Sequence, residues 1–403
     1  MTGIEPSSPS TARRKVLISG ASIAGPALAF WLNRYGFAVT VVEKAGALRG
    51  GGYPIDVRGT ALDVVRKMGI LPRLRDAHID LRRITFRDGD GSEVTSIDPH
   101  TVTGGTGADL EVPRGELTAA LYAAVRDDVE FLFDDTIETL DQSGHGVDVT
   151  FRRGSPNTFD MVFGADGTHS RTRALAFGPE EQFHRYLGYC FAGFTMRNTF
   201  GLRRETVLWN TPGRGAALYA VGDNDGDVHA LLTFAHPEPP FDAYRNPAAQ
   251  RDLVAAVFAD AGWEVPGMVA ALRDADDLFF DAVGQIHLPR WSSGRVALVG
   301  DAAYAPSFLT GQGSSLALVG AYMLAGSLAN RDHAAGFAAY EHDTREFVTV
   351  NQNQVGKGDA ALFPTTAQAL EHRNNMLRNL SATPAAAGRP AHSALTLPEF
   401  IHH

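Results

Sequence analysis

The stretch Lys15–Glu43, KVLISGASIAGPALAFWLNRYGFAVTVVE, decides the fold. Lys15 to Ser19 is a short apolar run with β-branched residues, Gly20-Ala-Ser-Ile-Ala-Gly25 is a turn, and Pro26 sits where a first helical turn tolerates proline. A second apolar run, VTVVE, ends at Glu43. The pattern predicts a strand, a tight glycine turn, a helix and a second strand, the arrangement of a nucleotide-binding βαβ unit. Gly20 permits the turn, and Gly25 lets the helix pack close to the strand. The helix start around Ile23 and Ala24 offers unpaired backbone amides and a partial positive charge to a pyrophosphate. Glu43 offers a carboxylate that can accept hydrogen bonds from a ribose.

The turn departs from G-x-G-x-x-G at its middle position, where Ser22 replaces the glycine that normally lets backbone approach phosphate. A serine is small enough to be tolerated there. A G-x-S-x-G nucleophile elbow is the other reading, but the spacing here is G-x-S-x-x-G and no Asp then His follows in convincing order. Taken alone, the turn is also compatible with an ordinary α/β protein.

The chain of 403 residues is 44% hydrophobic and 20% charged, long enough for two domains or one large elaborated one. Its formal charge of -10 argues against an overall footprint for nucleic acid or an anionic membrane, though not against a local basic pocket. Lys15, Lys44, Lys67 and Lys357 are the only lysines, so arginine carries almost all the positive charge. The single cysteine, Cys190, gives neither an intrachain disulfide nor a thiolate–metal cluster, and the 14 histidines show no H-E-x-x-H pair, so no metal site is expected. His229 and His236 read as structural or exposed, and His402-His403 as compositional noise. Residues Met1 to Ala12 are polar and lack the apolar core of a signal peptide, and no apolar run reaches about 18 residues. A cytoplasmic protein is expected, acting as a monomer or homodimer.

Beyond Glu43, the segment AGALRGGGYPID (Ala45–Asp56) marks a loop able to approach a ligand closely, followed by a helical pattern in Gly59 to Met68. Leu81 to Ile97 predicts a hairpin around Asp88-Gly-Asp-Gly91. Val112-Pro-Arg-Gly-Glu-Leu opens a helix, and DMVFGADGTHSRTR (Asp160–Arg173) is an apolar strand running into Gly164-Ala-Asp-Gly167. Several strand-like runs between Cys190 and His236 predict an inserted antiparallel sheet. Asn246 to Ala275 reads as helical, and Leu278 to His287 as a strand. RVALVG (Arg295–Gly300) is a buried strand ending in Asp301, then comes a loop closed by Gly311-Gln-Gly313 and a strongly helical segment. A second strand, glycine loop and helix thus stands beside the first. Ser381 to His403, rich in Ala, Pro and Ser, reads as loose.

The combination of Gly20-Ala-Ser-Ile-Ala-Gly25 with Glu43, Gly164-Ala-Asp-Gly167, and Gly300-Asp-Ala-Ala303 with Gly311-Gln-Gly313 closely resembles the single-component (class A) FAD-dependent aromatic hydroxylases. These include para-hydroxybenzoate hydroxylase and the tetracycline-inactivating monooxygenases. The resemblance covers roughly residues 15 to 360. It implies an α/β fold, with a Rossmann-like FAD-binding domain, an inserted antiparallel-sheet substrate domain and C-terminal helices. The expected division is a disordered tail over 1–14, the FAD-binding domain over 15–80, 100–178 and 288–345, and the substrate domain over 81–99 and 179–287. A C-terminal helix over 346–380 and a loose tail over 381–403 follow.

The resemblance also implies roles. Gly20, Ser22, Ile23, Ala24 and Gly25 would cradle the FAD pyrophosphate, Glu43 would hold the adenosine ribose, and Asp301 after Gly300 would take a ribityl or pyrophosphate-side hydroxyl. Arg114 matches the family arginine that lies along the phosphates and ribityl chain, a task suited to bidentate geometry. Gly311, Gly313 and Ser314 would set a helix N-terminus beside the flavin pyrimidine edge, where negative charge develops on reduction. The Asp166-Gly167 loop and Lys44 would be shared with the transient nicotinamide cofactor, and Asp56 and Arg58 would lie near flavin. No second dinucleotide fingerprint is present, as this family would have it, and Gly104-Gly-Thr-Gly107 is no substitute. The implied chemistry is reduction of FAD by NADPH or NADH, formation of a flavin C4a-hydroperoxide with O2, and hydroxylation of an aromatic or polycyclic phenol-like small molecule. No side-chain nucleophile is needed. Trp209, Tyr219 and Phe234 on the inserted sheet, with Phe308, are the aromatic candidates for stacking on a planar substrate.

Three features depart from the family pattern. Tyr304 stands where many relatives have His, Pro306 lies before the usual proline position with Ser307 and Phe308 near the expected peroxide side, and Ser314-Ser315 and Gly320 replace polar and acidic positions. Two rival functions therefore stay open at this point: a flavin dehydrogenase or reductase of the same fold, and a catalytically silent FAD protein that sequesters a ligand.

Overall fold

The structure is a computed structural model. It describes residues 13–48, 50, 53–99, 109–222, 226–240, 243, 246–356, 362–379 and 390–400. The expected tail over 1–12, Gly104–Gly107, Lys357 and His402-His403 lie outside the described residues.

Lys15–Ser19 is a strand inside a six-stranded sheet. It pairs in parallel with Ala38–Glu43 on one side and Met161–Gly164 on the other. Glu130–Phe133 and Val296–Leu298 extend the sheet in parallel, and Ser292–Ser293 closes one edge antiparallel. Val16, Leu17 and Ile18 are all fully buried, as a parallel strand covered on both faces requires. Val16 and Ile18 face the helices Ala24–Arg34 and Gly313–Leu328, while Leu17 and Val42 meet a three-stranded antiparallel sheet formed by Ile137–Gln142, Val147–Phe151 and Asn157–Phe159. Gly313–Leu328 is buried from Ser315 to Leu328, so it runs through the core rather than over it.

The second large sheet has seven strands, in the order Phe279–Ile286, His184–Arg197, Asp227–Ala235, Arg214–Ala220, Glu205–Thr211, Arg83–Arg87 and Glu93–Ile97. The hairpin Arg83–Ile97 thus joins the inserted strands, pairing with Glu205–Thr211 in parallel. One face packs on the helices Pro247–Val257 and Val265–Asp274 through Cys190, Trp209, Leu232 and Phe234. The opposite face looks toward the nucleotide unit through Tyr189, Phe191 and Val283. The α/β class and the inserted antiparallel sheet are as the sequence predicts. Among the described residues no helix is long and apolar enough to cross a membrane.

The C-terminal part differs from the expectation. The helix His333–Gln352 crosses the supposed boundary at residue 346, and Ala367–Arg378 is a separate helix. Within the supposedly loose tail, residues 390–400 dock on the nucleotide unit. The Thr60 hydroxyl donates to Leu395 O at 2.6 Å, the Tyr322 hydroxyl to Pro398 O at 2.6 Å, and Phe400 covers Gly326. Ala, Pro and Ser dominate the tail's composition, but Leu395, Leu397 and Phe400 supply enough apolar surface to anchor it on the core.

Candidate active site

The glycine turn is built on contacts that exclude side chains. Gly20 has φ of 106°, and a Cβ there would stand 2.4 Å from Ala165 O. A Cβ at Gly25 would stand 1.8 Å from Gly20 O, so the helix starting at Ala24, with Ile23 as its N-cap, leans directly on the turn. Ser22 faces across the turn, where its hydroxyl accepts from Arg114 Nη2 at 2.9 Å. Glu43 accepts from Ala21 N at 2.8 Å and Ala45 N at 2.9 Å. Its carboxylate therefore ties the turn to the strand end and retains lone pairs for hydroxyl donors. Lys44 is exposed beside it.

The carboxylate of Asp166 organises the loop that the resemblance assigns to the cofactors. It accepts from Thr172 N at 2.9 Å, the Thr172 hydroxyl at 3.0 Å and the Ser170 hydroxyl, organising the entry to the helix Arg171–Ala176. Arg173, not singled out from sequence, is fully buried and donates to Ala302 O at 3.1 Å, Thr168 O at 2.6 Å and Glu180 at 2.6 Å. It joins the Gly164–Gly167 loop to the Gly300–Asp301 loop. Their neighbourhood in sequence gives no hint of this, since Arg173 and Ala302 are 129 residues apart.

Four groups from distant segments converge between these loops. Burial pushes the Asp301 carboxyl up to about 6, with Asp281 adding to the rise and Arg114 opposing it. Tyr53 keeps 43% of its surface open. Its phenol is nonetheless raised, first by desolvation, with Asp301 and Asp281 adding to the rise and Arg114 opposing it. At the far end, Gly311 has φ of 66°, and a Cβ there would stand 2.8 Å from Asp56 Oδ2. Gly313 begins the long helix, with Ser314 in its first turn, and Ser315 Oγ accepts from Arg58 N at 3.1 Å. Gln312 is fully buried, and its Oε1 has no hydrogen-bond partner among the described residues. A buried acceptor at a helix N-terminus is suited to receive an N–H from a bound group.

Facing this helix start is the aromatic side of the seven-stranded sheet. Phe308 packs on Phe191 with centroids 4.8 Å apart, and on Phe363 at 6.0 Å. Ser307, just before it, holds φ of 76° without being glycine, a strained position of the kind found at functional loops. Pro306 O accepts from Gln285 Nε2 at 3.0 Å. Tyr219 lies on the same sheet face, bonded through its hydroxyl to Glu111.

Two expected substrate residues lie elsewhere. Trp209 and Phe234 are buried between the sheet and its covering helices, Trp209 Nε1 donating to Gly89 O at 3.2 Å and Phe234 packing on Phe258. Strand alternation is the reason: Trp209 pairs with Ala216 and Phe234 with Cys190, all on the helix-covered face. Tyr304 likewise turns into the core, where its hydroxyl receives that of Tyr340 at 3.0 Å, rather than toward the loop after Pro306.

One further cluster pins the nucleotide unit to the inserted sheet. His169 meets Glu180 through Nδ1 at 2.7 Å and Asp281 through Nε2 at 3.0 Å. The hydrogen bonds to Asp281 and Glu180 push the imidazolium up to about 10, against the effect of burial. A folded value above the ordinary 6.5 means the stabilisation is fully present below pH 6.5 and is lost as pH rises toward 10. The thermal midpoint should therefore fall across that window beyond the background trend. Differential scanning calorimetry on His169→Gln should show a flatter dependence, and an unchanged slope would exclude the cluster as its source.

With that geometry in place, the comparisons with known proteins are consistent. The family model described as FAD binding domain matches residues 13–353, and the chain belongs to this family of FAD-binding flavoproteins. A flavin-dependent monooxygenase from an unknown prokaryotic organism is 36% identical over 393 residues, covering 96% of this chain and 99% of that protein. A flavin-dependent monooxygenase of Legionella longbeachae is 33% identical, covering 84% and 87%. The crystal structure of the tetracycline destructase Tet(55) superposes with a TM-score of 0.82 at 35% identity, covering 96% of this chain and 99% of that one. The class A flavoprotein aromatic hydroxylase type implied by the three glycine motifs is the type these relatives fit. The residues present suit FAD: the side-chain-free turn, the guanidinium at Ser22, and the unpartnered Gln312 acceptor beside a helix N-terminus. Among the described residues no group of three His, Cys, Asp or Glu is placed to hold a metal ion.

Proposed function

We propose that this protein is an FAD-dependent monooxygenase that uses NADPH or NADH and O2 to hydroxylate an aromatic or polycyclic phenol-like small molecule. FAD, when bound, supplies hydride acceptance and oxygen activation. Gly20, Ser22, Ile23, Ala24 and Gly25 would hold its pyrophosphate, with Arg114 alongside and Glu43 at the ribose. Asp301 would take a hydroxyl between the loops. Asp56, Gly300, Gly311, Gly313 and Ser314 would border the flavin end, and Lys44 and the Asp166 loop the nicotinamide entry. The Gln312 amide oxygen would accept a hydrogen bond from an N–H there. The aromatic sheet face and Phe308 would hold a planar substrate and exclude water from the reacting end.

The observation that carries this reading is the meeting of the Phe191–Phe308–Phe363 group with the loop that leads into Gly311. It sets an apolar, ring-lined surface beside the helix start that would suit a flavin edge. The similarity to a tetracycline destructase supports a polycyclic substrate. The test is the visible spectrum of the purified protein, followed by NADPH and NADH oxidation with a panel of polyphenols under 18O2. A yellow protein giving stimulated oxidation and product carrying one 18O atom is expected. Stimulated oxidation without oxygenated product would favour the reductase instead.

A further inference from the structure

Residues 390–400 lie in a seat made by three helices, Thr60–Lys67, Gly313–Leu328 and His333–Gln352, and each helix supplies a buried donor to a carbonyl of the segment. Asn351 Nδ2 donates to Ala391 O at 2.9 Å, the Thr60 hydroxyl to Leu395 O and the Tyr322 hydroxyl to Pro398 O, both at 2.6 Å. Two glycines make room for the segment. A Cβ at Gly59 would stand 2.1 Å from His392 O, and one at Gly326 would stand 2.0 Å from Phe400 Cδ2. The Phe400 ring fills that notch beside Tyr322, with ring centroids 5.3 Å apart. At the other end of the segment His392 is buried.

The seat leads to both loops that border the flavin end in the reading given above. Gly59 follows Arg58, whose backbone N donates to Ser315 Oγ at 3.1 Å and whose guanidinium holds Asp56 at 2.7 Å. Asp56 in turn abuts Gly311. On the other side, Asn351 precedes Gln352, whose Nε2 donates to Ile286 O at 2.9 Å and to Tyr304 O and Ala305 O at 3.3 Å. Gln352 O accepts from Gln285 Nε2 at 2.9 Å, and the same nitrogen donates to Pro306 O. Ala391 and His392 are thus wedged between the loop 56–59 and the helix end that grips residues 304–306, immediately before Ser307 and Phe308. The apolar side chains Leu395, Leu397 and Phe400 anchor the segment on the core. The contacts at Ala391 and His392 do something further, because they set the gap between two loops.

We propose that residues 390–400 are a positioning strap for the cofactor, fixing the spacing of the loops 56–59 and 304–307 at the flavin end, so that docking of the strap and binding of FAD strengthen each other. The proposal rests on the placement of the flavin end under the monooxygenase reading above. Phe400 is the anchor and Gly59 the point of action. Loops already held at the right spacing do not have to be ordered when FAD binds. By linkage, a change that undocks the strap weakens FAD by the factor through which FAD strengthens docking.

The test uses the full-length chain as wild type, Phe400→Ala, Phe400→Leu and, as a control, Lys67→Ala, which removes the exposed ion pair with Glu399 at the outer side of the strap. FAD affinity of the deflavinated proteins is read by flavin fluorescence, and the flavin environment by the visible absorption band and the midpoint potential. Docking is read by chymotrypsin cleavage after Leu395 and Leu397, with and without FAD, relative to cleavage elsewhere in the chain. Phe400→Ala should bind FAD about tenfold more weakly, with a shifted visible band and a displaced potential. Phe400→Leu, which refills most of the notch, should stay within about threefold of wild type, and Lys67→Ala within about twofold. FAD should slow cleavage of the wild-type strap about tenfold, the reciprocal of the same coupling. A Phe400→Ala protein with a lowered thermal midpoint but wild-type FAD affinity, spectrum and potential would mark a structural anchor and overturn the proposal. Equal cleavage of the wild-type strap with and without FAD would overturn it as well. If FAD binding follows the strap but no substrate is oxygenated, the monooxygenase reading fails and the strap stands. If wild type takes up no FAD, both fail.

Discussion

Gly25→Ala is expected to yield a protein that purifies without yellow colour and unfolds about 3 kcal/mol more easily than wild type. On helix propensity alone the change should help, because alanine is favoured over glycine in a helix by about 1 kcal/mol. Geometry reverses the sign. The new Cβ would stand 1.8 Å from Gly20 O and 3.0 Å from Gly20 C, both backbone atoms with no rotamer to yield. Relief requires the turn to open by more than about 1 Å, given ordinary carbon contact distances. Gly20 cannot retreat, since Ala165 O lies against its other side. The opening would also pull Ala21 N from Glu43 and Ser22 from Arg114, dispersing the groups proposed to face the pyrophosphate. Gly267→Ala is the control. It sits inside the helix Val265–Asp274 with nothing within 4 Å of its Cβ position, and should be neutral or stabilising by under about 1 kcal/mol. Chemical denaturation and flavin fluorescence on the two variants check both expectations. Retention of FAD by Gly25→Ala at wild-type affinity would refute the account of the turn.

What could be read in advance follows the range of the interactions. The βαβ unit, the Gly300–Asp301 strand end and the Gly311–Gly313 helix start are written in local periodicity and turn chemistry, where each residue's neighbours in sequence are its determinants. The face of an inserted strand is not local. Tyr219 and Trp209 sit on adjacent paired strands and look equivalent as aromatic residues in β runs, but one faces the nucleotide unit and the other the covering helices. The phase of the alternation relative to the covering layer decides this, and no short window contains it. Arg173, His169 and Glu111 were missed for the related reason that their partners Ala302, Asp281 and Tyr219 arrive from more than 100 residues away. Arg173 had one usable signal, an arginine in the first turn of a helix after a glycine loop, but burial of its guanidinium depends on the loop that follows Gly300. The tail over 390–400 was misread because average composition hid three anchoring side chains, Leu395, Leu397 and Phe400.

Tyr304 and Gly320, two positions that depart from the family pattern, turn out to be one feature, and a coupled pair of substitutions should expose it. A Cβ at Gly320 would stand 1.8 Å from the Tyr304 hydroxyl oxygen, with the ring carbon bearing that oxygen at 3.1 Å and Val299 at 3.4 Å. The tyrosine cannot swing aside. It is 1% exposed, packs on Trp291 at 4.6 Å between ring centroids, and accepts the hydroxyl of Tyr340 at 3.0 Å. The helix carrying Gly320 cannot retreat either, being buried along its length. Gly320→Ala should therefore cost about 2 kcal/mol, an overpacking penalty of about 3 offset by about 1 of helix propensity. Tyr304→Phe alone should cost about 1 kcal/mol, since Tyr340 keeps Leu298 O as an acceptor at 3.2 Å. In the double variant the missing hydroxyl leaves room for the methyl, and the remaining 3.1 Å contact needs a shift of only a few tenths of an ångström. The combined cost should fall short of the sum by about 1 to 2 kcal/mol, a coupling measurable by a double-mutant cycle in denaturant. Simple additivity would show that the two positions do not meet. Because Tyr304 ends the short helix that begins at Asp301, displacing its ring tilts that carboxylate. Gly320→Ala should accordingly weaken FAD retention as well as stability, and the double variant should recover both together.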